Sequence, residues 1–133
     1  MTDVNLLAQL REQFSSAHWP RMENISRDQD QCVIDMYIAH DMHWLEGHFP
    51  QQPVVAGVVQ THWAGELAKS LFNIGDEFIR IDNLKFQQVI LPGQHLQLTL
   101  SYSSTTVKFR YSQNDTLFSE GKLVFQGQSP VTQ

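Results

Sequence analysis

Only one stretch of this chain carries a long helical period. In "AGVVQTHWAGELAKSLFN", residues 56–73, the residues Val59, Trp63, Leu67 and Leu71 recur at helical spacing. Ala64 and Ala68 stand beside them, so the apolar stripe is wide and must be covered by something broad. His62, Glu66, Lys69 and Asn73 fall on the opposite side, and Gly75 follows as a stop signal. The pattern predicts a central helix over about 56–73.

What covers that stripe is read from the segments that alternate. "FIRIDNLKFQQVI" reads as strand and is followed by the turn "LPGQ". "HLQLTLSYS" puts Leu96, Leu98, Leu100 and Tyr102 on one face. "TVKFRYS" sets Val107, Phe109 and Tyr111 against Lys108 and Arg110, and "LFSEGKLVFQ" follows polar turn residues at 113–115. Before the helix, "QCVIDMYIAH" reads as a strand with both faces mostly covered. Residues 3–14 read as a short amphipathic helix, with Val4, Leu7, Leu10 and Phe14 at helical spacing. "HWPRMENISRDQDQ" reads as a polar connection with a turn around residues 28–30, and the tail at 127–133 as frayed.

One substantial helix among antiparallel strands is an α+β pattern, with a sheet curled around the helix. At 133 residues the length fits a single domain over 1–133, with enough chain to bury a real core. A single sheet leaves open edges, and pairing them in a homodimer or a higher oligomer is the expected remedy. The formal net charge of −5 excludes a general nucleic-acid binder, which needs clustered Lys and Arg. Cys32 is the only cysteine, so no internal disulfide is expected, and its apolar surroundings predict a buried, inert thiol. No secretory leader pattern opens the chain, and the longest apolar runs fall short of the roughly 18 residues a membrane span needs. The expectation is a soluble, cytoplasmic protein.

Between the strand ending near His40 and the helix stands "EGHFPQQP", residues 46–53. Its two prolines hold Phe49 to Pro53 stiff and extended, and Gly47 removes bulk beside His48. A rigid, uncrowded frame around one imidazole suits a catalytic base or a metal ligand, and it equally suits an ordinary turn.

The longer stretch "GHFPQQPVVAGVVQTHWA" resembles the signature of the 3-hydroxyacyl–acyl carrier protein dehydratases of the hotdog fold. "LKFQQVILPGQHLQLTL", residues 84–100, resembles a later strand and Pro-Gly turn of the same family. Gln60, Trp63 and Ala64 look more like the thioester dehydratase branch associated with aryl polyene pathways. The resemblance implies dehydration of a 3-hydroxyacyl thioester, held on an acyl carrier protein, to a trans-2-enoyl thioester. It implies His48 as the base that removes the proton beside the thioester carbonyl. It also implies Gly57 as the donor whose backbone N–H binds the thioester oxygen. Phe49, Pro50 and Pro53 would shape the mouth of the site, and Val58, Trp63 and Phe86 would line the acyl group. A helix N-terminus has the polarity an enolate-like oxygen needs, and a neutral imidazole is a suitable base near neutral pH. No metal or redox cofactor is implied.

In the family an acid stands fourteen residues after the histidine; here that position is His62. Ala56 also replaces the usual proline before the glycine, a milder change. Three readings stay open. His62 does the acid's work as an imidazolium, or Glu66, one turn further along the same face, does it directly or through a water. In the third, the chain has lost full dehydratase activity and serves as a non-catalytic or reduced-activity partner subunit, an acyl-carrier binder or a variant hydratase. His62, Glu66, Lys69 and Asn73 also fit the plain solvated face of an amphipathic helix. A hotdog thioesterase is a further enzyme reading, though such enzymes need a carboxylate to activate water and the Gly-His-Phe-Pro motif does not point to one.

A metal reading of His40, His43, His48 and His62 lacks ligands converging from one helical face. Carrier proteins are acidic, so docking one would need a local basic patch. Arg80, Lys85, Arg110 and Lys122 are the candidates on the strands.

Overall fold

A computed structural model of the chain describes residues 3–41, 54–75 and 77–127. The elements run α1 (Val4–Gln13), β1 (Arg21–Asp28), β2 (Gln31–Tyr37), α2 (Gly57–Leu71), β3 (Phe78–Phe86), β4 (His95–Ser103), β5 (Thr106–Gln113) and β6 (Thr116–Phe125). The six strands form one antiparallel sheet in the order β1-β2-β4-β5-β6-β3. With α2 packed on the inner face of this sheet, the chain has the hotdog fold, as its sequence pattern predicts.

The inner face is built by period-2 alternation. Leu96, Leu98 and Leu100 of β4, Val107, Phe109 and Tyr111 of β5, and Cys32, Ile34 and Met36 of β2 are all buried. They share one core with Val59, Trp63, Ala64, Leu67, Ala68 and Leu71 of α2. Burying each large side chain of that stripe contributes roughly 1.5–3 kcal/mol, so the helix is held mainly by its cover. α1 closes one end of the core through Leu7 and Leu10, together with Phe14 at its C-cap. Its cap is the Asp3 carboxylate, which accepts from the Leu6 N–H at 3.0 Å.

Three details differ from the sequence expectations. Residues 21–28 are a strand, β1, rather than a polar connection. Met22 and Ile25 are its buried residues, and the register slips between Met22 and Asn24, so the irregularity hides the alternation. The end of α2 is set by Asn73, which takes φ 55° just past the Phe72 cap, and not by Gly75. The Ile74 N–H closes that end on the Lys69 carbonyl at 3.0 Å, and the Arg27 guanidinium donates to the Leu71 carbonyl. Finally, β3 stops at Phe86, so Gln87 to Ile90 lie outside the strand expected to reach them.

The two sheet edges are unequal. β3 carries Phe78, Ile79, Leu84 and Phe86 exposed along one outer strand. An edge this apolar is a ready template for pairing. No helix among the described residues is long and apolar enough to cross a membrane.

Candidate active site

The site is organised by the start of α2. Ala56 occupies the cap position in extended backbone and has no side chain to close the first turn. The Val59 and Gln60 N–H groups both bond the Ala56 carbonyl at 3.1 Å. The amides of Gly57 and Val58 take no acceptor among the described residues. At a helix N-terminus the polarity of these two N–H groups favours negative charge.

The approach to these amides is shaped by Phe86. Its ring lies over Gly57 so closely that a Cβ there would stand 2.6 Å from Cζ. With the ring in this position, only a glycine fits beneath it. Phe86 and Gly57 line a hollow of about 370 Å³ with Val54, Val55, Gln60 and Val89. On the adjoining face of α2, Val58, His62 and Glu66 line a second hollow of about 250 Å³, whose far wall is apolar: Phe78, Ile81, Leu123 and Phe125.

His62 and Glu66 are exposed on one helix face, and Lys69 approaches the Glu66 carboxylate at 3.9 Å. The His62 imidazole packs against the Trp19 indole, with ring centroids 5.6 Å apart. Val58 is 75% exposed at the rim. Trp63 is fully buried and lines neither hollow; its indole N–H donates to the His18 carbonyl at 2.9 Å. The structure therefore gathers Gly57 with Phe86, and Val58 with His62 and Glu66. His48, Phe49, Pro50 and Pro53 lie outside the described residues, as does His43.

Gln60 supports this arrangement, although in the sequence it stands out only as a mark of subfamily. It is 3% exposed, and its side-chain amide donates to the Val55 carbonyl at 3.1 Å. The Ser119 hydroxyl donates to Gln60 Oε1 at 2.6 Å, and the Tyr111 hydroxyl donates to the Gln60 carbonyl at 2.7 Å. Val55 in turn donates its N–H to the Ile90 carbonyl at 2.9 Å. The turn leading to Gly57 is thus pinned to β5 and β6. The signal was a polar residue in line with Ala64, Leu67 and Leu71 on the buried side of the helix.

On the opposite, outer face of the sheet is an open hollow of about 580 Å³ lined by Lys85, Lys108, Arg110 and Lys122, with Glu120 the one acid among them. Lys108 stands directly across from Lys122 on neighbouring strands. Like charges in that register repel. Arg110 has Glu120 at 3.8 Å, whereas Lys85, Lys108 and Lys122 make no ion pair among the described residues. Arg80 is taken by Asp82 at 3.0 Å. Cys32 is buried, and that burial pushes its thiol pKa up against a smaller downward pull from Arg27.

Comparison with known proteins agrees with this architecture. The family model ApeI-like, described as ApeI dehydratase, matches residues 24–122. The chain is similar to the structure of the dehydratase heterocomplex ApeI:P from Xenorhabdus doucetiae, with TM-score 0.76 and 30% identity over 80% of this chain and 97% of that one. It is 31% identical to the 3-hydroxyacyl-[acyl-carrier-protein] dehydratase FabZ of Sorangium cellulosum over 65% of this chain and 65% of that protein. Thioesterase superfamily member 2 from Mus musculus shares the fold alone, at TM-score 0.58 and 12% identity.

Proposed function

The chain belongs to the ApeI-like dehydratase family, and on that premise we propose that it removes water from 3-hydroxyacyl thioesters carried on an acyl carrier protein. His48 takes the proton from the carbon beside the thioester carbonyl. The electron pair moves toward the thioester oxygen, where the Gly57 N–H receives the developing charge. Return of that pair forms the carbon–carbon double bond and breaks the bond from C3 to its hydroxyl. The hydroxyl leaves as water with a proton from His62 in its imidazolium form. The reaction is redox-neutral and balances without a co-reactant.

The observation that best supports this reading is the helix start itself. Gly57 offers an amide under Phe86 that takes no acceptor among the described residues. His62 stands on the next turn, beside an apolar hollow with room for an acyl chain. The outer-face cations Lys85, Lys108, Arg110 and Lys122 supply local charge of the sign an acidic carrier needs, in a chain whose net charge is −5. The exposed apolar residues of β3 support a homodimer joined at that edge.

A second reading, a partner subunit of reduced activity, is favoured by His62 at the acid position. The heterocomplex to which the chain is similar adds support. The test is turnover of a 3-hydroxyacyl–carrier thioester by the purified chain alone, followed by mass as loss of one water. Turnover by the chain alone supports the enzyme. Turnover that appears only when a second hotdog chain is added supports the partner subunit.

A further inference from the structure

Residues 14–19 precede the segment matched to the family, which begins at residue 24, yet they meet α2 at His62, the position where the sequence resemblance implies an acid. The contact has a fixed geometry. Trp63, next to His62 in sequence, donates its indole N–H to the His18 carbonyl and so ties the loop to the helix. The following residue, Trp19, lays its ring against the His62 imidazole at 5.6 Å with the planes tilted by 31°. Behind it the Trp19 ring meets Phe14, edge-on at 4.5 Å, and Phe14 is buried in the core. The loop is tightened further by the Trp19 N–H donating to the Ser16 carbonyl at 3.1 Å.

The chemistry of this contact discriminates between residue types. An aromatic face carries negative charge density, so it gives nothing to a carboxylate. It attracts an imidazole ring, and an imidazolium more strongly. On its own helix, Glu66 and Lys69 share the face of His62 and are paired to each other. From β3 and β6 the hollow beside His62 is walled only by Phe78, Ile81, Leu123 and Phe125.

We propose that Trp19 is a positioning residue for His62, a plate supplied by the N-terminal loop that orients the imidazole standing where the family has an acid. The inference rests on the dehydratase reading and goes beyond it, because it assigns part of the site to a segment outside the family match.

The experiment is a double-mutant cycle on a 3-hydroxyacyl pantetheine thioester free of carrier. Trp19→Leu and Trp19→Phe are measured in the natural chain and in a His62→Glu background that restores the acid. Trp19→Leu is expected to lower kcat about tenfold or more with little change in KM, and Trp19→Phe to keep most of the rate. With Glu at position 62, Trp19→Leu should change kcat by less than about twofold. The ring-proton NMR signals of His62 should lose the indole's ring-current shift in Trp19→Leu. An equal loss of kcat in both backgrounds means that Trp19 is only a core residue and overturns the inference while leaving the dehydratase standing. Absence of turnover in the natural chain overturns the dehydratase reading, and the inference with it.

Discussion

The ring of Phe86, at the end of β3, lies over Gly57, the first residue of α2, leaving no room for a Cβ between them. Phe86 is 50% exposed, so its ring tip can swing aside. Gly57→Ala also gains up to about 1 kcal/mol of helix propensity. The expected stability change is therefore within about 1 kcal/mol in urea denaturation. The hollow over the amide, however, is remodelled. Gly57→Ala keeps the backbone N–H but obliges the Phe86 ring to move across the approach to it, so turnover should fall about tenfold or more. A Gly57→Ala enzyme with unchanged kcat/KM would show that the approach beneath Phe86 is not needed for the reaction.

The bond between Ser119 and Gln60 predicts a stability effect with a particular sign of coupling. Ser119→Ala leaves a buried amide oxygen without its donor and should cost about 1–3 kcal/mol. Gln60→Leu strips both the Ser119 hydroxyl and the Val55 carbonyl of their partner. Because the two residues share one network, the double variant should be less destabilised than the sum of the singles. Additive values from urea titrations would mean the network does not act as a unit.

Both this network and the start of α2 bear on what can be read before a structure exists. The central helix is legible because its stripe repeats over four turns, and the later strands because their alternation is regular. β1 is not, since a slip between Met22 and Asn24 interrupts its period. The stop at Asn73 competes with a nearby glycine, and the choice rests on which residue reaches the left-handed region. At the site, Gly57 and His62 are named by the resemblance of the Gly-His-Phe-Pro stretch and the helix after it to the dehydratases, whereas helical spacing alone reads His62 as solvated face. Phe86 over Gly57, Ser119 on Gln60 and Trp19 on His62 join residues far apart in sequence, and no local pattern announces them.

Tyr111 predicts how stability responds to alkali. Burial holds its phenol pKa well above the usual value, and its hydroxyl donates to the Gln60 carbonyl. The unfolded chain ionises this group near pH 10 while the folded chain keeps the proton. Its contribution is complete below about pH 10 and is lost as pH rises toward the folded-state pKa. Tyr111→Phe should cost about 0.5–1.5 kcal/mol at neutral pH and show a shallower alkaline decline. Parallel declines in the two proteins, measured by urea unfolding at stepped pH, would contradict this.

Cys32 is expected to resist modification. Fully buried between β1 and β4, with its pKa raised by burial, the thiol presents little reactive thiolate. An aromatic disulfide reagent should label it in denaturant and leave the folded protein unmodified over the same time. Rapid stoichiometric labelling of the folded protein would show that this part of the sheet opens readily.

The central claim is that His48 moves a proton at the carbon beside the thioester carbonyl. The most direct test runs the reaction backwards: a trans-2-enoyl–carrier thioester is incubated in D₂O and the hydrated product is analysed for deuterium. The account predicts one deuterium at C2 with the natural chain and none above background with His48→Ala. Hydration with C2 deuteration that persists in His48→Ala would contradict it.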